Sequence, residues 1–131
     1  MLLDANIFLE FFLQQKRADD SLAILEKLRK GEMKAYLSYF TIDSVLLIMH
    51  QNKCSHKELN TFLQNIINSK GISLYHAHLN DRFLAITLME KYNLDYEDAL
   101  TLRCALSVGS KEILSFDKDF DKINEIKRIE P

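Results

Sequence analysis

Residues 94–120 read LDYEDALTLRCALSVGSKEILSFDKDF, and this stretch decides the architecture. Acids at Asp95, Glu97 and Asp98 open an amphipathic segment that runs from about Asp95 to Val108 and closes at Gly109. Glu112–Ser115 then reads as a short strand that leads directly into Asp117 and Asp119. Leu102 and Ala105 lie four and seven residues beyond Asp98, so its carboxylate sits on the apolar face of the helix. Asp95 and Glu97 suit the first turn as acids that complement the helix dipole.

Upstream, short apolar runs alternate with helical patterns. Met1–Leu3 reads as a buried strand that ends on Asp4, followed by the apolar helical turn Ile7, Phe8, Leu9, Phe11 and Phe12. Asp4 taken alone also fits a helix N-cap. Residues 18–30 form an amphipathic helix with Ala18, Leu22, Leu25 and Leu28 on one face and Gly31 as its stop. Met33–Ser38 is a second strand. Thr41 caps a third helix, which has Asp43 and Ser44 in its first turn and Val45, Leu46 and Met49 on its inner face. A fourth helix follows from Ser55 or His56 to Ser69, marked by Leu59, Phe62, Leu63, Ile66 and Ile67. Ile72–Leu74 is a third strand. Leu79–Tyr92 is a fifth helix with Phe83, Ile86 and Met89 as its expected buried face, and Ile126–Ile129 is an edge strand. The expected fold is a single three-layer α/β/α domain over residues 1–131, with a mainly parallel sheet of four to five short strands.

Composition narrows the function. The 131 residues are 47% hydrophobic and 27% charged, as in ordinary globular domains, and the net charge is −2. No global positive field is available to hold nucleic acid, and Lys16, Arg17, Lys27, Arg29 and Lys30 read as a solvated helix face. Cys54 and Cys104 have no metal-type spacing and suit a reducing cytosol. Asp4 interrupts any signal peptide, and no apolar run approaches the roughly 18 residues of a membrane span. A soluble cytoplasmic protein is expected. The imidazoles of His76 and His78 read as loop or surface groups.

A parallel sheet explains how the acids meet. Crossover helices put every strand's carboxyl end at one edge and turn the helix N-termini toward it. Asp4 and Asp117 follow strands, while Asp43 and Asp98 open helices, so one topology gathers all four where open α/β sheets bind ligands. Clustered carboxylates need a cation to neutralise them, and an all-oxygen set favours Mg²⁺ or Mn²⁺ over zinc. Such an ion suits the hydrolysis of a phosphodiester.

These residues resemble the PIN domain, particularly the small VapC-type toxin ribonucleases. The matching pieces are LLDANIFLE at 2–10, SYFTIDSVL at 38–46, LDYEDALTLRCAL at 94–106 and ILSFDKDF at 113–120. The resemblance implies metal-holding aspartates at Asp4, Asp98 and Asp117, with Asn6 and Ser115 orienting them. Asp119 is an auxiliary acid that in this register caps the turn before Phe120. The resemblance further implies an RNA substrate, a small antitoxin that covers the cleft, and a homodimer. One position departs from the family pattern: the glutamate expected three residues after Thr41 is Ser44. Asp43 is adjacent, but one helical step turns a side chain by about 100°. The alternative is therefore a weakened or inactive PIN-like module that binds RNA or a protein. A haloacid dehalogenase-type phosphatase would need a second aspartate where Asn6 stands, and a receiver domain would need an acidic pair by the first strand.

Overall fold

The computed structural model describes residues 1–131. Its order is β1 (Leu2–Leu3), α1 (Ala5–Phe12), α2 (Ala18–Lys30), β2 (Ala35–Ser38), α3 (Tyr39–Gln51), α4 (His56–Ile67), β3 (Ile72–Tyr75), α5 (Leu79–Tyr92), α6 (Tyr96–Ser107), β4 (Glu112–Leu114) and β5 (Lys127–Ile129). A 3₁₀ turn at Lys118–Lys122 links the last two strands. All strand pairs are parallel, in the order β3-β2-β1-β4-β5. From β1 the chain winds outward through β2 to β3, then returns to lay β4 on the other side of β1. The β1/β4 junction is thus the point at which the winding reverses, and it opens a crevice at the carboxyl ends of these strands.

Strand alternation builds the three layers. Leu2 and Ile113 point to one face of the sheet and pack with Ala85, Leu88, Leu100, Leu102 and Phe120 beneath α5 and α6. Leu3, Leu37 and Leu114 point to the other face, against Phe8, Leu28, Val45, Met49 and Phe62 from α1 to α4. Phe8 and Phe62 meet edge to face with centroids 5.4 Å apart. Burying each such ring stabilises the fold by about 1.5–3 kcal/mol. Gly31 ends α2 at φ +79°, a left-handed backbone that L side chains avoid. At Gly71 a Cβ would stand 1.9 Å from the carbonyl oxygen of Met33, so only glycine lets the two segments approach.

Several helix faces differ from the sequence expectation. In α2 the buried set is Ser21, Ile24 and Leu28, and Leu22 is exposed. The N-cap of α3 is Ser38, whose hydroxyl accepts from the Phe40 amide, so the helix starts directly off β2. Thr41 is therefore internal and buried, and Asp43 and Ser44 move to the second turn. Ile67 faces outward on α4.

The largest change is in α5. Asp81, Ala85 and Leu88 turn inward, while Leu79, Phe83 and Ile86 are 71%, 67% and 58% exposed. The inward choice is set by Asp81, which accepts from Tyr75 Oη (2.6 Å), the His78 amide (2.9 Å), Arg103 Nε (3.2 Å) and Ser107 Oγ (2.5 Å). Burial alone would raise its pKa, but these donors outweigh it and hold the carboxyl well below the usual range. Arg103 and Ser107 belong to α6, so this buried carboxylate clamps the two helices together. No helix is long and apolar enough to cross a membrane.

Candidate metal centre

The acidic crevice is assembled from three elements. Asp4 leaves β1 and caps α1, its Oδ1 accepting from the Ala5 amide at 2.8 Å. Asp98 sits in the first turn of α6, and Asp117 follows β4. Asp95 caps α6 by accepting from the Asp98 amide at 2.8 Å, which fixes the backbone that carries Asp98. The capping role of Asp4 and its place in the crevice are not alternatives. A strand that ends on a capping aspartate delivers that aspartate to the carboxyl edge.

Ser115 organises the floor. Its hydroxyl donates to Asp4 Oδ2 at 2.6 Å and accepts from Asn6 Nδ2 at 3.1 Å and from the Asp117 amide at 2.9 Å. Asn6 Oδ1 accepts in turn from the Phe116 amide at 3.3 Å. Arg128 Nη1 holds the Ser115 carbonyl at 3.1 Å, while the Ser115 amide donates to the Ile129 carbonyl. Two acids from opposite ends of the sequence are thereby tied to one buried hydroxyl.

Asp98, Asp117 and Asp119 each place a carboxylate oxygen within 4.8 Å of the others. Asp117, not Asp119, caps the 3₁₀ turn, accepting from the Asp119 amide at 2.9 Å. This frees Asp119 to join the group. Asp4 lies beside this triad rather than within it. Glu97, expected only as a dipole partner, stands close enough to Asp4 for its charge to act there. Its signal in the sequence was its position one residue before Asp98, which does not reveal which way a first-turn side chain turns. Asp43 is exposed on α3 and outside the acidic triad, and Ser44 is half-buried.

The electrostatics are those of an uncompensated anion cluster. Burial pushes Asp4 up to about 6; the Ser115 and Ala5 hydrogen bonds oppose the rise, and Asp117 and Glu97 add to it. Burial likewise raises Asp98 to about 7, helped by the charges of Asp95, Asp4, Asp117 and Asp119. No lysine or arginine is ion-paired with any of these four crevice acids. A compact set of carboxylate oxygens lacking a protein cation fits a hard divalent ion such as Mg²⁺ or Mn²⁺.

A family model described as the PIN domain matches residues 1–126. The chain belongs to the PIN domain family. Solved structures with the same fold include a Mycobacterium tuberculosis protein, VapC20, described as a sarcin-ricin loop cleaving toxin. It shares 12% identity over 92% of each chain, with a TM-score of 0.75. A toxin–antitoxin complex from Klebsiella pneumoniae matches at 18% identity and TM-score 0.67, over 96% of this chain and 94% of that one. VapBC2 from Rickettsia felis, bound to a DNA fragment from its promoter, matches at 16% identity and TM-score 0.68, over 98% and 96%. No curated protein sequence matches significantly. In this PIN domain the crevice at the β1/β4 junction brings Asp98, Asp117 and Asp119 together, with Asp4 beside them.

Proposed function

We propose that this PIN domain is a Mg²⁺- or Mn²⁺-dependent endoribonuclease that hydrolyses RNA phosphodiester bonds as the toxin of a toxin–antitoxin pair. The observation that carries this reading is the triad of Asp98, Asp117 and Asp119 beside buried Asp4, without a protein cation. A divalent ion held by Asp98 and Asp117, with Asp4 and Asp119 flanking it, would orient and acidify a water and neutralise charge on the phosphodiester. Ser115 keeps the Asp4 carboxylate turned to the crevice, Asn6 holds the loop that carries Asp117, and Asp95 holds the helix start beneath Asp98.

The partners follow from the same reading. The similar structures include toxin–antitoxin complexes, which supports a small antitoxin as the inhibitor. The outward stripe of Leu79, Phe83 and Ile86 on α5 supports a homodimer, because a helix with apolar residues at this spacing can pair with its own copy about a two-fold axis. Two free cysteines suit a cytoplasmic protein.

The test is cleavage of RNA by purified protein with Mn²⁺, with EDTA, and with the Asp4→Asn and Asp117→Asn variants. Cleavage that needs Mn²⁺ and disappears in both variants supports the ribonuclease. Equal cleavage by wild type and variants would mean a contaminant and end the enzyme reading. Ser44 at the position of the usual glutamate, and Asp43 exposed beside it, favour one alternative: a silent PIN module that binds RNA or a protein without cutting. RNA binding with no cleavage under any metal would select it.

A further inference from the structure

The sheet edge that carries the acids also carries aromatic rings that the metal chemistry does not use. Tyr39 and Phe40 follow β2, His76 follows β3, and Tyr96 opens α6 two residues before Asp98. Tyr39 is 47% exposed and Tyr96 38%, and His76 is exposed. The Tyr39 and His76 rings lie 5.6 Å apart, and those of Phe40 and Tyr96 lie 6.5 Å apart. β2 adjoins β1 and β3 lies one strand further out, so the backbones that carry Tyr39, Phe40 and His76 leave the same sheet edge as Asp4, one and two strands away.

We propose that Tyr39, His76 and Tyr96, backed by Phe40, form a stacking platform for unpaired bases of a single-stranded RNA. The proposal rests on the ribonuclease reading for the identity of the nucleic acid. The physical case is one of charge. A protein of net charge −2 with an acidic crevice cannot draw RNA in by its field. Stacking on a ring face needs no positive field and tolerates any base. Bases within a duplex are already stacked, so the platform selects loops and single strands over paired RNA.

The sequence contains no tryptophan, so Tyr39→Trp installs a unique fluorophore on the platform. The titrant is an unstructured oligoribonucleotide in Ca²⁺, its integrity checked on a gel, with the matching duplex as comparison. Saturable quenching by the single strand is expected, with much weaker binding of the duplex. By anisotropy, Tyr39→Ala and Tyr96→Ala should each weaken binding by roughly 5- to 150-fold, and the phenylalanine variants should bind within about twofold of wild type. The salt slope of log K should be shallow, about −0.7 for each phosphate held. Circular dichroism and Tm establish that the variants are folded.

Alanine variants that bind like wild type, a duplex that binds as tightly as the single strand, or no quenching at Tyr39→Trp would overturn the platform. So would alanine variants that shift the oligomeric mass while leaving RNA affinity unchanged, because the rings would then belong to a protein contact. Ring-dependent binding without metal-dependent cleavage removes the ribonuclease reading alone. Cleavage by wild type with unchanged affinity in the alanine variants removes the platform alone.

Discussion

Ser115 donates its hydroxyl hydrogen to Asp4 Oδ2 at 2.6 Å, joining residues 111 positions apart in sequence. Both are buried, and the same hydroxyl receives the Asp117 amide and the Asn6 side chain. One small side chain therefore sets the relative position of two acids that come from different strands.

Ser115→Ala removes this link without opening a large cavity. Metal affinity and RNA cleavage should each fall by about 10- to 100-fold, the usual cost of losing a group that orients a metal ligand. Direct substitution at Asp117 should cost about three orders of magnitude in rate, equivalent to several kcal/mol. Titration calorimetry with Mn²⁺ and a cleavage assay measure both, and a Ser115→Ala protein with wild-type affinity would show that the hydroxyl only packs.

Asp98 links stability to pH. Its folded pKa of about 7 lies above the ordinary 3.8. Between these values the folded state binds more protons than the unfolded state, so stability falls as pH rises through this window. Above about pH 7 the full cost of the buried charge is present. Metal-free protein should therefore melt higher at pH 5 than at pH 8, and Asp98→Asn should raise the Tm at pH 8 by on the order of 5 °C. Mn²⁺ at about 100 times its Kd should stabilise the wild type by about 2.7 kcal/mol and Asp98→Asn far less. Differential scanning calorimetry at the two pH values decides it. A metal-free wild type that melts higher at pH 8 contradicts the prediction.

Asp81 has the opposite sign. Burial raises its pKa, but the Ser107, Tyr75, His78 and Arg103 hydrogen bonds overcome this and leave it below 3.8. The stability it supplies is present above about pH 4 and is lost as pH falls through that value toward its folded pKa. Asp81→Asn should cost about 2–4 kcal/mol at pH 7, because the Arg103 charge loses its partner and the neutral donors of Tyr75, His78 and Ser107 lose a full carboxylate. The deficit should shrink at pH 3, as urea denaturation at both pH values would reveal.

Phe83→Glu tests the outward face of α5. The ring is 67% exposed, so the substitution should leave the Tm within a few degrees while abolishing a homodimer. Sedimentation velocity reads the mass. A wild type that already sediments as a monomer removes this role from the stripe.

The periodicity of 94–120 was enough to place α6, β4 and the turn to Asp117, because a helix closed by Gly109 and followed by a short strand leaves few other readings. It was not enough for α5. There Phe83, Ile86 and Met89 repeat as a buried face would, yet the helix turns Phe83 and Ile86 outward to bury Asp81, and only Met89 packs partly against the core. An aspartate is read from sequence as a surface group, and only the partners it meets in space, Tyr75, Arg103 and Ser107, reverse that reading. The start of α3 was missed for a related reason. Ser38 and Thr41 are both good caps, and the end of β2 decides which of them stands at the boundary.

For the acidic crevice, the order of elements in the sequence already determined that Asp4, Asp98 and Asp117 lie at one edge, since parallel strands and their crossovers allow little else. Which oxygens come close was decided by tertiary structure alone. Asp117 took the cap of the 3₁₀ turn, and Asp119 was released into the triad. Topology places a residue to within a strand spacing. The last few ångströms depend on which hydrogen bond each carboxylate makes, and those partners come from distant parts of the chain.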